Sequence, residues 1–230
     1  MTDNIAQCFT AAIARDPTRP LLTFYDDATG ERTELSGATL DNWVAKTANL
    51  LIDAAGTAPG DTAAVLLPPH WQTAAVLLGC WSAQLAVTVD APQPVDVLFV
   101  AADRIDEASA WPAGERYVLG LAPLAAPLRE VPAGFADYVA EVRAHGDHFA
   151  PYPGAGPQDA QLGRRAARRA AELGIGIGDR VLIAAARHTD PVDWLLGPLS
   201  VGASIVLCAN LDPTRLEDRV ATEKVDVVLV

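Results

Sequence analysis

Lysine is nearly missing from this chain. Of 230 residues only Lys46 and Lys224 carry a side-chain amine, and the rest of the 17 basic residues are arginines. Any chemistry that demands a lysine must use one of these two or come from another chain. Cysteine is equally sparse. Cys8, Cys80 and Cys208 form no CxxC pair, a scattered odd set that points to free thiols in a reducing compartment. No run of about 18 apolar residues is present to span a bilayer. The opening MTDNIAQCFTAAIARDP lacks the basic n-region and long apolar core of a signal peptide. Positive charge is also outnumbered: 29 acidic residues give a net charge of −12. Such a surface repels phosphate backbones and anionic lipid, which argues against nucleic acid as a partner. These absences predict a cytoplasmic protein with no membrane span.

What is present is ordinary globular composition, 50% hydrophobic and 20% charged. A chain this long buries roughly 70–75% of its unfolded surface and needs no covalent staples. Ile5–Ala14 reads as a short amphipathic helix. Leu21–Tyr25 and Arg32–Leu35 flank Asp26-Asp27-Ala28-Thr29-Gly30, a hairpin signal. Ser36 is placed to cap a helix carrying Leu40, Trp43, Val44, Ala48 and Leu51, which Gly56 ends. Strand, helix, strand and strand follow at Ala63–Leu67, Trp71–Ala83, Leu85–Val89 and Val95–Val100. These strands are continuously apolar, the mark of a largely parallel sheet covered on both faces. Beyond them Asp103–Ser109 reads as a helix, Tyr117–Leu121 as a strand and Phe135–Ala144 as a helix. The run APYPGAGP after Phe149 is the best linker candidate.

A pattern then returns. GTAPGDTAAVLLPPHWQTAAVLLGCWSAQLAVTVD from Gly56 and GIGIGDRVLIAAARHTDPVDWLLGPLSVGASIVLC from Gly174 align at an offset of 118 residues. The offset pairs Gly60 with Gly178, Asp61 with Asp179, His70 with His188, Gly79 with Gly197 and Ser82 with Ser200. Each copy ends in nearly the same strand, VDVLFV at 95–100 and VDVVLV at 225–230, now 130 apart. The 12 residues missing from the first copy correspond to the helix Pro213–Glu223. A crossover between adjacent parallel strands needs a dozen or so residues. The chain near 90–95 must therefore route its last strand differently. The expected organisation is α/β: a first unit over 1–160, with the N-terminal hairpin and an irregular connection, and a second over 161–230 that repeats 38–100.

The hairpin at Thr23–Leu35, the helix Leu40–Asp53 and the two Gly-Asp turns resemble the N-terminal part of the adenylate-forming superfamily. LLGPLSVGASIVLC and DPTRLEDRVATEKVDVVLV extend the resemblance to the superfamily's second α/β unit. Its members include acyl-CoA synthetases and nonribosomal-peptide adenylation domains. The chain resembles particularly a set of short actinobacterial proteins of unassigned function. The resemblance implies two related α/β units with largely parallel sheets. It also implies a Ser/Thr/Gly-rich loop with a lysine before the helix that leads into the second Gly-Asp turn. Small residues there let backbone N–H groups close on phosphate while the lysine neutralises charge. This chain instead reads Pro157-Gln-Asp-Ala-Gln-Leu-Gly-Arg164, with no serine, threonine or lysine. The family's later motifs for adenine, ribose and Mg²⁺, and its C-terminal domain with a catalytic lysine, would fall beyond Val230.

Other candidates read as follows. GIGIGD (174–179) follows a helix and opens a strand, the reverse of a phosphate loop, and reads as a turn. Arg164, Arg165, Arg168 and Arg169 share one helical face, a candidate anion or partner patch, though a solvated face paired with nearby acids is the simpler reading. His70 and His188 sit in equivalent loops after strands, where α/β sheets bind ligands, though a structural histidine is the simpler reading. His145, Asp147 and His148 lack a fourth ligand, so no metal site is expected. Cys80 and Cys208 read as core thiols, and no catalytic residue stands out. The leading expectation is a non-catalytic member that binds a partner protein or an acyl- or nucleotide-like ligand, with no assigned cofactor. The alternative is an acyl-adenylating or CoA-ligase activity using ATP, completed by a second polypeptide.

Overall fold

The computed structural model describes residues 4–89 and 91–230. Helix α1 spans Ile5–Ala14 and begins where the Asn4 side chain accepts a hydrogen bond from the Gln7 N–H at 3.1 Å. Strands β1 (Pro20–Asp26) and β2 (Glu31–Ser36) form the antiparallel hairpin, with Gly30 at φ +76° in its turn. The Ser36 hydroxyl accepts from the Thr39 N–H and starts α2 (Gly37–Asn49). A π-helical turn, Leu50–Ala54, extends α2, and Gly56 at φ +66° stops it.

There follow β3 (Thr62–Leu66), α3 (Trp71–Ser82), β4 (Ala86–Thr88), β5 (Val95–Ala101), a 3₁₀ segment (Ala102–Ala110) and β6 (Ala113–Leu119). Next come β7 (Ala136–Asp137), α4 (Tyr138–Val142), α5 (Asp159–Glu172) and β8 (Arg180–Ala184). A π-helical turn, Val192–Leu196, leads into α6 (Gly197–Ser200). The chain closes with β9 (Ser204–Ala209), α7 (Leu216–Glu223) and β10 (Val227–Leu229). Among the described residues no helix is long and apolar enough to cross a membrane.

Two segments depart from the sequence reading. Strand β6 starts four residues before Tyr117 because it pairs with β5 along its length, from Val95↔Ala113 onward. It stops before Leu121, whose left-handed φ of +50° breaks the extended run. The expected helix 135–144 contains only the five residues of α4. Ala136 and Asp137 are extended and pair with β6, and the Asp137 carboxylate then caps α4 by accepting from the Ala140 N–H at 3.0 Å.

Two compact units emerge: residues 1–40, 69–74 and 159–230, and residues 41–68 and 75–158. The junction at 158/159 lies beside the proline/glycine run. The expected division of 1–160 from 161–230 differs at its N-terminal end, because β1 pairs in parallel with β9, Leu22 opposite Ile205. The hairpin therefore belongs with the second half of the chain. That unit carries the sheet β10-β8-β9-β1-β2, parallel except for the hairpin. Leu182, Val206 and Cys208 form its core under Leu216 and Val220 of α7. The other unit carries the all-parallel sheet β4-β3-β5-β6-β7, packed around Leu66, Leu98, Val100, Trp111 and Val118.

The internal registers of the two sheets run in step. Thr62 pairs with Ala86, and Arg180 with Ser204, 118 positions on in both strands. Ala63 pairs with Val97, and Val181 with Val227, 118 and 130 positions on. The Asp61 carboxylate accepts from Ala58 N–H at 2.8 Å, and Asp179 accepts from Gly176 N–H at 2.6 Å. The aspartate of each VDV strand caps the neighbouring strand's first N–H. Asp96 holds Thr62 at 2.7 Å and Asp226 holds Arg180 at 2.8 Å. Because β4 and β5 flank β3, the segment between them does not join adjacent strands. Residue 90 of that segment lies outside the described residues.

Candidate functional site

The segment Pro157–Arg164 is where the resemblance implies a phosphate loop. Proline has no N–H to offer. The Gln158 amide is committed, its Oε1 accepting from Val87 N–H and its Nε2 donating to the Val87 carbonyl, both at 2.9 Å. Asp159 opens α5 and is 3% exposed, so the positive end of that helix already carries a carboxylate. A triphosphate placed there would meet the buried Asp159 carboxyl group and, short of the exposed Arg164 at the segment's end, no cationic or hydroxyl side chain of the segment. The residues do not fit a nucleotide's phosphates, and no step through ATP is derived from them.

The four arginines of α5 divide into two pairs. Arg165 donates to Asp190 at 2.8 Å, and Arg169 forms a two-pronged pair with Asp193 at 2.8 and 3.1 Å. Arg164 and Arg168 remain exposed, Arg168 with a 3.4 Å contact to Glu172. An open cleft of about 270 Å³ lies along this face, lined by both charges and by Val192. Hydrogen bonds from Arg169 hold the Asp193 carboxyl below its usual range, against the opposing effect of burial. His188 joins the same group, its Nδ1 3.4 Å from Asp193 Oδ2. Positive and negative charges alternate here, so the local field is far weaker than four arginines alone would produce.

His70 lies elsewhere and is buried. It caps α3, its Nδ1 accepting from the Gln72 N–H at 3.1 Å, so the neutral ring carries its proton on Nε2. The ring meets Phe24 edge-on at 4.3 Å. Burial pushes its pKa down to about 3, despite the opposing pull of Asp26. His145 and His148 lend their backbone carbonyls to α2. Lys46 Nζ donates to the former at 2.5 Å and Asn49 Nδ2 to the latter at 3.0 Å. Among the described residues no group of three His, Cys, Asp or Glu converges to hold a metal ion. Cys80 and Cys208 are buried, and burial raises both thiol pKa values, that of Cys208 to about 11. Lys224 is the left-handed C-cap of α7.

The sequence reading missed a buried ionic network on the face of β1, β2 and β8 that α7 covers. Arg219 forms a two-pronged pair with Asp27 at 2.6 and 3.0 Å, and its guanidinium lies 4.1 Å from the Tyr25 ring centroid. Glu223 accepts from Tyr25, Arg180 and Arg32. Burial alone would raise the Glu223 carboxyl, but those hydrogen bonds outweigh it and hold the group below its usual range. The spacing of Arg219 and Glu223, four apart on one helix, was the only available signal. Every charge in this network has a partner, which makes it a fastening for α7 and leaves little for a ligand.

A family model described as AMP-binding enzyme matches residues 9–96. A protein of Mycobacterium tuberculosis, described only by its family membership, is 47% identical over 226 residues, covering 93% of this chain and 93% of that protein. Among solved structures, an acyl-CoA synthetase of Brucella canis superimposes with a TM-score of 0.72 at 18% identity, covering 96% of this chain and 46% of that one. The acetoacetyl-CoA synthetase of Streptomyces lividans gives 0.73 at 20%, covering 96% and 41%. An anthranilate CoA ligase solved with anthranoyl-AMP gives 0.74 at 12%, covering 99% and 51%. These likenesses concern the fold. The chain spans about half the length of the solved structures it matches.

Proposed function

The chain belongs to the family of its Mycobacterium tuberculosis relative, and from its likeness to the AMP-binding enzyme model over residues 9–96 we propose a non-catalytic protein that binds a partner or small ligand. The observation that carries this reading is the segment Pro157–Arg164. Where the resemblance implies a phosphate loop, this chain has a proline, a glutamine amide bound to Val87 and a buried aspartate at a helix start. Neither lysine supplies the missing charge: Lys46 is held by His145, and Lys224 caps α7. A cytoplasmic setting is part of the proposal, supported by three free thiols, two of them buried.

The test is ATP–pyrophosphate exchange by the purified chain across fatty, aryl and amino acids. Exchange should stay at background for every acid. Acid-specific, ATP-dependent exchange would overturn the reading in favour of adenylating chemistry.

For binding, the residues left to meet an acidic partner or ligand are Arg164 and Arg168, since Arg165 and Arg169 are engaged with Asp190 and Asp193. Replacing both with glutamine should change unfolding free energy by less than about 0.5 kcal/mol, because exposed charges contribute little. The same change should remove salt-sensitive recovery of an acidic partner. Equal recovery by wild type and variant at every salt concentration would assign this face to solvation alone.

A further inference from the structure

Between the end of α4 at Val142 and the start of α5 at Asp159 the chain makes no helix or strand. Stretches longer than about 12 residues without secondary structure are uncommon in compact folds and usually serve as lids, binding loops or linkers. Pro151, Pro153 and Pro157 have no N–H to give to a ladder, and none of residues 145–158 is buried. The stretch is nevertheless fastened at both ends. At its start, Lys46 of α2 donates to the His145 carbonyl at 2.5 Å, and Asn49 donates to the carbonyls of Gly146 and His148 at 2.8 and 3.0 Å. Toward its end, Gln84 Nε2 donates to the Gly154 carbonyl at 3.2 Å. The Gln158 amide accepts from the Val87 N–H and donates to the Val87 carbonyl, both at 2.9 Å, where β4 ends its sheet. Between these fastenings the Phe149 and Tyr152 rings meet edge to face, centroids 6.2 Å apart, a contact internal to the stretch.

We infer that residues 145–158 are a detachable strap, which leaves and rejoins the surface of its unit as one piece while the sheet beneath it stays folded. Its fastenings differ in kind from those of the sheet. Each joins a polar side chain to a backbone group, and water replaces such a bond at small net cost. The sheet is held by ladder bonds and by the buried cluster of Leu66, Leu98, Val100, Trp111 and Val118, to which the strap adds no residue. Local opening begins where exposed hydrogen bonds are many and buried apolar contacts few. The Phe149–Tyr152 contact is kept when the strap lifts, so it does not oppose release. Release frees the Val87 N–H and carbonyl, together with the length of chain ahead of α5. The position of the strap thus decides whether the β4 edge is closed or open.

Hydrogen exchange of the full chain tests this at the Val87 amide, which the strap holds through Gln158. In the wild type Val87 should exchange at least about tenfold faster than the amides of β5, which the sheet holds. The decisive variant is Asn49→Ala, which cuts the strap at its other end. Asn49 bonds Gly146 and His148, not Val87, yet its loss should quicken exchange at Val87 about tenfold, the effect of two net hydrogen bonds. Lys46→Met keeps the side-chain length, loses one donor and should quicken it about threefold, even if the alanine variant folds poorly. Amides of β5 should keep their wild-type rates in both variants. Unchanged exchange at Val87 in both would overturn the inference, because the two ends would then open independently. So would a wild-type Val87 as slow as β5, or a β5 that quickens along with Val87, because the strap would then open only when the sheet does.

Discussion

Replacing Arg219 with leucine should lower the unfolding free energy by about 3 kcal/mol, the low end of the range for breaking a buried ion pair. The leucine fills much of the same volume, so the loss reports the abandoned Asp27 carboxylate. Its side chain is 5% exposed, and its two strongest donors are the guanidinium nitrogens of Arg219. Two lesser contacts would remain, the Asp212 N–H at 2.8 Å and Arg215 at 3.5 Å, which is why the upper end of the range is not expected. Neutralising both partners together, Asp27→Asn with Arg219→Leu, should cost less than the sum of the single changes, since no charge is then stranded. Urea unfolding of the three variants supplies the cycle. A loss below 1 kcal/mol for Arg219→Leu would mean that water reaches Asp27 once α7 loosens.

The second large effect is on pH. An unfolded histidine protonates near 6.5, while burial holds folded His70 near 3. Between those values the unfolded chain binds the extra proton, so stability is fully present above pH 6.5 and falls as the pH drops toward 3. From pH 7.5 to pH 5 the loss should be about 2 kcal/mol. The depressed carboxyls of Asp27, Asp193 and Glu223 begin to lose their contribution only below their unfolded values near 4, outside that window. His70→Asn keeps an acceptor for the Gln72 N–H and removes the titration, so its stability should be nearly flat from pH 7.5 to pH 5. Equal slopes for wild type and variant would show that His70 is not the group responsible.

Much of the fold was legible because it rests on local signals. The short apolar runs Ala63–Leu67 and Val97–Val100, bounded by turn residues, mark strands covered on both faces, and Gly30 and Gly56 mark turns at positive φ. The offsets of 118 and 130 carry through to the sheet registers because both Gly-Asp turns and both VDV strands place an aspartate against the same kind of backbone N–H. What was not legible depends on partners distant in sequence. Asp27 sits in a hairpin signal and reads as a solvent-facing turn residue, yet its partner Arg219 lies 192 positions away. Gln158 falls in a linker-like stretch, and nothing near it in sequence announces Val87, 71 positions back. His70 reads most simply as a structural histidine, and it is one, but its neighbour Phe24, 46 positions back, is not announced by the sequence around it. The departure at Pro157–Arg164 was readable because it concerns which residue types stand in one short segment.

This chain has the fold of the N-terminal part of adenylate-forming enzymes, and we propose that it offers no site for a nucleotide's phosphates. Equilibrium dialysis of the full chain against labelled ATP with Mg²⁺, up to millimolar nucleotide, tests it most directly. No saturable binding is expected, nor any for Asp159→Asn, since removing one carboxyl group does not supply the missing donors. Saturable binding at micromolar ATP by the wild-type chain would contradict it.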